Sequence, residues 1–238
     1  MRKFFAFLAL PLALMSCSKQ YNIRGNSTVQ SLDGKMLYLK TLRDNQLINV
    51  DSCEVVHGQF EFTGRWDSTM MVNLFMDDES IMPMVLEEGD MTIQIDHAVQ
   101  TVTGSPLNDS LYQFIHEKSR LDNLIAELPH RESQMIMDGM DHDEILQLLH
   151  KESAKLSAEN DSLIFSFISE NFNNVPGPGV FMILTSSFPY PIITPQIDSL
   201  MSISTAVFQN NSYVKEYMRV AKENMEMMKE RQNAGLGV

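Results

Sequence analysis

Cys53 stands in the stretch Asp51-Ser-Cys-Glu-Val-Val-His57, beside an acid and four residues before an imidazole. A thiol in such company could act as a nucleophile, a metal ligand or a redox group, because its thiolate serves all three. Nucleophilic catalysis needs Cys53 and His57 within hydrogen-bond reach and a third group to orient the base. Nothing nearby in sequence supplies an oxyanion site. The alternative is a strand. Cys53, Val55 and His57 would then share one face, with Glu54 and Val56 on the other. Cys53 becomes a small core side chain and His57 a solvated turn residue.

A second group of ligand types lies in Met135-Ile-Met-Asp-Gly-Met-Asp-His-Asp143. Met135, Met137, Met140 and His142 combine thioethers with an imidazole, a set that suits Cu(I) and Cu(II). The competing expectation is a Met-rich loop between helices, over residues 130–140, with Asp141 or Asp143 opening the next helix at its positive dipole end. The chain holds 18 Met, so a local cluster of them carries little information by itself.

The third residue is Cys17. Arg2 and Lys3 precede an apolar run over residues 4–14 that is too short to span a bilayer comfortably. The run ends in Leu14-Met-Ser-Cys17, which resembles the lipobox of bacterial lipoproteins. That resemblance implies cleavage after Ser16, acylation of Cys17 and anchorage in a Gram-negative envelope membrane, on the periplasmic face of the outer membrane. Several acyl chains give lasting attachment where one is marginal. An ordinary secretory signal that happens to contain a Cys is the alternative. With Cys17 acylated, Cys53 is the one free thiol, and no intramolecular disulfide can form.

Other catalytic signatures are missing from the sequence: Gly-x-Ser-x-Gly, His-Glu-x-x-His, a phosphate-binding loop and a dinucleotide fingerprint. No cofactor is therefore expected. The formal net charge is −13, and residues 18–238 hold 16 basic against 31 acidic residues. That balance argues against nucleic acid and against electrostatic docking on anionic lipid.

The elements that must position these residues change character part-way along. Residues 21–103 alternate apolar and polar side chains in some eight short runs, punctuated by Asp33-Gly34, His57-Gly58 and Glu88-Gly89-Asp90. From Gly104 the spacing becomes helical. Ser105-Pro106 opens the first helix, and Pro129 is expected to stop it. Val175-Pro-Gly-Pro-Gly179 reads as a hard break. Thr194-Pro195 opens a further helix reaching Phe208, and Ser212 opens the last. The fold class is α+β: an N-terminal antiparallel β-sandwich or partly open barrel over residues 18–104, after a signal peptide over 1–17, then a helical region over 105–238.

Asp51-Ser52, Val55, Gly58, Phe60, Phe62 and Gly64, then Leu86-Glu-Glu-Gly89, then Gly104-Ser105 and Asn108, together resemble the domain of unknown function 4369. The resemblance covers about residues 20–115. That domain usually precedes a thioredoxin-like domain in thiol:disulfide interchange lipoproteins of the envelope. Here no Cys-x-x-Cys is present, and exchange needs an attacking thiolate, usually with a resolving one. The family's redox activity is not carried over. What the resemblance implies is a non-catalytic, membrane-anchored module that binds an envelope protein, such as a separate thioredoxin-like protein. A copper-binding protein using the Met135–His142 tract and a Cys53-dependent enzyme are the alternatives.

Overall fold

The computed structural model describes residues 19–43 and 46–233. The expected signal peptide over residues 1–17, with Cys17, lies outside the described residues. Eight strands come first: β1 (Gln20–Ser27), β2 (Met36–Arg43), β3 (Gln46–Glu54), β4 (Gln59–Arg65), β5 (Met70–Met76), β6 (Glu79–Leu86), β7 (Gly89–Ile95) and β8 (Gln100–Thr103). Six helices follow: α1 (Pro106–Met137), α2 (His142–Glu170), α3 (Pro176–Ser186), α4 (Pro195–Ile203), α5 (Ala206–Gln209) and α6 (Ser212–Asn233). The switch from period 2 to helical spacing at Gly104 is where the expected change of class falls.

The strands form two four-stranded sheets, ordered β4-β1-β7-β8 and β3-β2-β5-β6. The arrangement is a sandwich rather than a closed barrel, and it is not wholly antiparallel, because β1 and β7 pair in parallel. Alternation supplies the interior. Ile23, Phe62 and Ile93 from one sheet meet Leu37, Leu39, Leu74 and Met84 from the other. The β3–β4 connection is the expected hairpin: Val56 bridges Gln59, and His57 and Gly58 both take positive φ, 52° and 72°. Two successive left-handed residues match the strand twist, and Gly accepts that conformation without strain.

The helices cover the outer face of the second sheet. Met71 of β5 and Val85 of β6 pack into a core with Leu111, Phe114, Phe181 and Phe208. At its centre the Phe181 ring stands edge-on to Phe208 and to Tyr217, at centroid distances of 5.6 and 5.5 Å. α1 and α2 continue past this core as a helical hairpin around Leu121, Leu128 and Leu156.

Several expected helix ends move. α1 runs through Pro129 to Met137. A proline inside a helix removes one backbone bond, but Leu128 is buried against α2, and Arg131 pairs with Glu152 of α2 at 2.5 Å. Tertiary packing on both sides of Pro129 holds the helix together. Pro176-Gly-Pro-Gly179 is the first turn of α3 instead of a break, and the break falls just before it, at residues 171–175. The helix opened by Thr194-Pro195 ends at Ile203, and Thr205 caps a separate short α5. The cap of α6 is Asn211, whose Oδ1 accepts from the Tyr213 and Val214 amides.

Candidate functional site

The stretch around Cys53 belongs to β3, an edge strand that pairs only with β2 among the described strands. Cys53 is half-buried and packs against the sandwich core. Burial pushes its thiol up to about 12, and Asp51 adds to the rise against a lowering hydrogen bond with the Glu61 backbone. A thiol held protonated in this way is a poor nucleophile at neutral pH. His57 is exposed on the turn, and no hydrogen bond joins it to Cys53 among the described residues. The arrangement is the strand one, with Cys53 beneath the sheet and His57 in solvent.

Asp51 has a structural partner. Its Oδ2 accepts from the Tyr21 hydroxyl at 2.9 Å, and its Oδ1 from the Ser52 amide at 2.8 Å. Tyr21 lies on β1, so this bond ties the first sheet to the edge of the second. Burial first, and the Asp51 carboxylate second, hold the Tyr21 phenol well above its usual range. Tyr21 reaches Asp51 by lying across Gly64, its cross-strand partner on β4; a Cβ there would fall 2.3 Å from the hydroxyl oxygen. Phe60 lies in the same way across Gly25, its own partner.

The loop expected over residues 130–140 is mostly helix: α1 carries Met135 and Met137 to its end, α2 starts at His142, and only residues 138–141 connect them. Gly139 takes φ 77°, its amide bonds Ile136 O at 3.1 Å, and the Met140 amide bonds Met135 O at 3.1 Å. This pair of bonds is the Schellman closure of a helix end. Asp141 then caps α2, accepting from the amides of Asp143 and Glu144. Met135 and Met137 are two residues apart on a helix, so their side chains leave in nearly opposite directions. Met135 is half-buried and Met137 is 78% exposed. Met140 and His142 are exposed on the turn and the first residue of α2. The structure brings the four into one neighbourhood without turning them toward a common point.

The residue with the densest buried polar contacts is Asn108, on the first turn of α1. Its Oδ1 accepts from the Val85 amide at 2.8 Å, and its Nδ2 donates to Val85 O and to Ser105 Oγ, both at 2.7 Å. Tyr112, one turn on, donates to Pro83 O at 2.8 Å. Val85 and Pro83 lie on β6, the other edge of the second sheet. α1 therefore takes up the outward backbone groups of the Pro83–Val85 part of that edge. Pro83 fits because its parity with Val85 turns its missing donor away from β5. Among the described residues no helix side chain bonds to the backbone of β3 in this way. Beyond the last β2–β5 pair at Lys40, residues 41–43 and 46–48 continue as a two-stranded ribbon that exposes Leu42, Leu47 and Ile48.

Residues 21–111 match the family model described as a domain of unknown function, DUF4369. The segment is a DUF4369 domain. No curated protein and no solved structure matches the chain. In the DUF4369 domain the residues that carried the sequence resemblance have structural work: Gly58 makes the hairpin, Gly64 seats Tyr21, and Asp51 holds its hydroxyl. The match ends inside α1 and takes in Asn108, so the first turns of that helix belong to the DUF4369 domain together with the strand they hold.

A cleft on the helical side escaped sequence reasoning. It measures about 710 Å³ and opens between α1, α2, α3 and the start of α4, beside Phe114, Ile164, Ile183 and Phe188. Its walls come from segments as far apart as Phe114 and Gln196, so no local pattern announces it. Among the described residues no helix is long and apolar enough to cross a membrane.

Proposed function

We propose that this protein is a non-catalytic module of the bacterial envelope, anchored through an acylated Cys17, that binds a protein partner along the β3 edge. The observation that carries the reading is the contrast between the two edges of the second sheet. Asn108 and Tyr112 hold the Pro83–Val85 part of β6, whereas the β2–β3 ribbon exposes Leu42, Leu47 and Ile48. Exposed apolar edges are normally blunted, and one that is kept suits strand addition by a partner. The partner class comes from the resemblance: an envelope protein with a thioredoxin-like domain. The raised pKa of Cys53 supports a role without thiol chemistry in this chain.

Two experiments test the proposal. Cys17→Ala should move the protein from the membrane fraction to the soluble one and abolish incorporation of labelled palmitate. A photocrosslinking residue at Leu47 should trap a thioredoxin-like protein in cells, while one at Glu61, on the other sheet, should not. Loss of the Leu47 adduct with Leu42→Lys/Ile48→Lys is expected. A wild-type chain that is never acylated, or equal adducts from Leu47 and Glu61, would overturn the corresponding half.

A further inference from the structure

The cleft between the helices has the dimensions of a small-molecule site. Phe114, Ile164 and Val180 are buried at its base, and Ile183 and Phe188 line it with larger exposure. Its volume of about 710 Å³ accommodates a short apolar body and not a helix or a folded partner.

The polar groups of the lining restrict what can enter. Three of these side chains have donors already engaged. Lys118 donates to both carboxylate oxygens of Asp122, at 2.5 and 2.7 Å, which neutralises it. Ser187 Oγ donates to Leu184 O, and Gln196 Nε2 donates to Asp161 O. Acceptors are left over. The side-chain oxygen of Asn160 is buried without a donor, an unusual state that costs stability in the free protein. The Asp161 carboxylate is exposed at the cleft and, among the described residues, makes no ion pair. The chain as a whole is strongly acidic, at −13, which raises the local concentration of cations.

From the unpaired Asp161 carboxylate beside an apolar cleft we infer that the helical region binds an amphiphile with an alkyl or acyl body and an ammonium head. The body fills the space beside Phe114, Ile164 and Ile183. The head pairs with the exposed Asp161 carboxylate. A free lipophilic amine and the ethanolamine head of a phospholipid share this chemistry.

Isothermal titration of the full chain with octylammonium, octanol and octanoate tests the inference, and a short-chain lysophosphatidylethanolamine distinguishes the sources. One saturable site is expected, with octylammonium bound most tightly and octanoate most weakly. Asp161→Asn should weaken octylammonium by about three- to fivefold, the size of one exposed ion pair, and leave octanol unchanged. Ile183→Arg puts bulk and a positive charge in the cleft at an exposed position and should remove binding of both octylammonium and octanol. Circular dichroism should match wild type for both variants. If lysophosphatidylethanolamine competes with octylammonium, the phospholipid head is the source; if it does not, the free amine is. Non-saturating heats, octanoate binding as tight as octylammonium, or an Ile183→Arg variant that binds like wild type would each overturn the inference.

Discussion

Asn108→Ala should cost more stability than its polar side chain would suggest. Asn108 is fully buried, and its amide satisfies both the N–H and the C=O of Val85. Truncation leaves those two backbone groups facing a helix that excludes water. A buried group left unpaired costs about 1–3 kcal/mol, so the pair amounts to about 2–6 kcal/mol. The Nδ2 bond to Ser105 Oγ is lost as well, but Ser105 can turn its hydroxyl to another partner, so about 4 kcal/mol is the working figure. That is a large share of the ~5–15 kcal/mol by which a domain is usually stable. Urea unfolding followed by circular dichroism measures the loss. Hydrogen exchange at single amides locates it. The Val85 amide should lose protection selectively. Met84 and Leu86, whose amides point to β5 by strand parity, should keep theirs. Asn108→Asp keeps an acceptor for the Val85 amide but removes the donor to Val85 O and buries a charge, so it should be at least as destabilising. A loss below about 1 kcal/mol, with unchanged exchange at Val85, would refute the claim that Asn108 holds the β6 edge at Val85.

Three further outcomes are expected. Cys53 should resist iodoacetamide at pH 8 in the folded protein and react on unfolding; because its folded pKa lies above the unfolded value near 9, it contributes stability below pH 9 that is lost as pH rises toward 12, and Cys53→Ala should flatten that alkaline decline in urea titrations. Tyr21→Phe removes the hydroxyl bond to Asp51 and should cost about 1–2 kcal/mol, with no further loss when Asp51→Asn is added, as a double-mutant cycle would show. Pro129→Ala restores a backbone donor at an exposed position inside α1 and should stabilise the chain by about 1–3 kcal/mol, read as a higher melting temperature; a destabilised variant would mean that the helix bends there on purpose.

Much of the candidate chemistry was legible from local pattern. Alternation around Phe60 and Phe62, with Gly58 after His57, places Cys53 on a strand and His57 on a turn, because side chains of a strand leave on opposite faces every other residue. The same locality explains why Asp141 could be seen as a helix cap. It also explains the misjudged stop at Pro129. A local rule counts the lost backbone bond but not Leu128 packed on α2 or Arg131 held by Glu152.

By itself the sequence determined the order of the two halves, the change of period at Gly104, the hairpin at His57-Gly58 and the single thiol outside the first 17 residues. Each depends on neighbours in the chain. Only the tertiary structure decided that β1 lies parallel to β7, that Tyr21 reaches Asp51 across Gly64, and that Asn108 holds Val85 at one edge of the second sheet while the β2–β3 ribbon exposes Leu42, Leu47 and Ile48. It alone assembled a cleft from Phe114, Ile164, Ile183 and Phe188. These features join residues more than twenty positions apart, or arise from what one packed surface leaves uncovered on another, and a one-dimensional pattern holds no record of either.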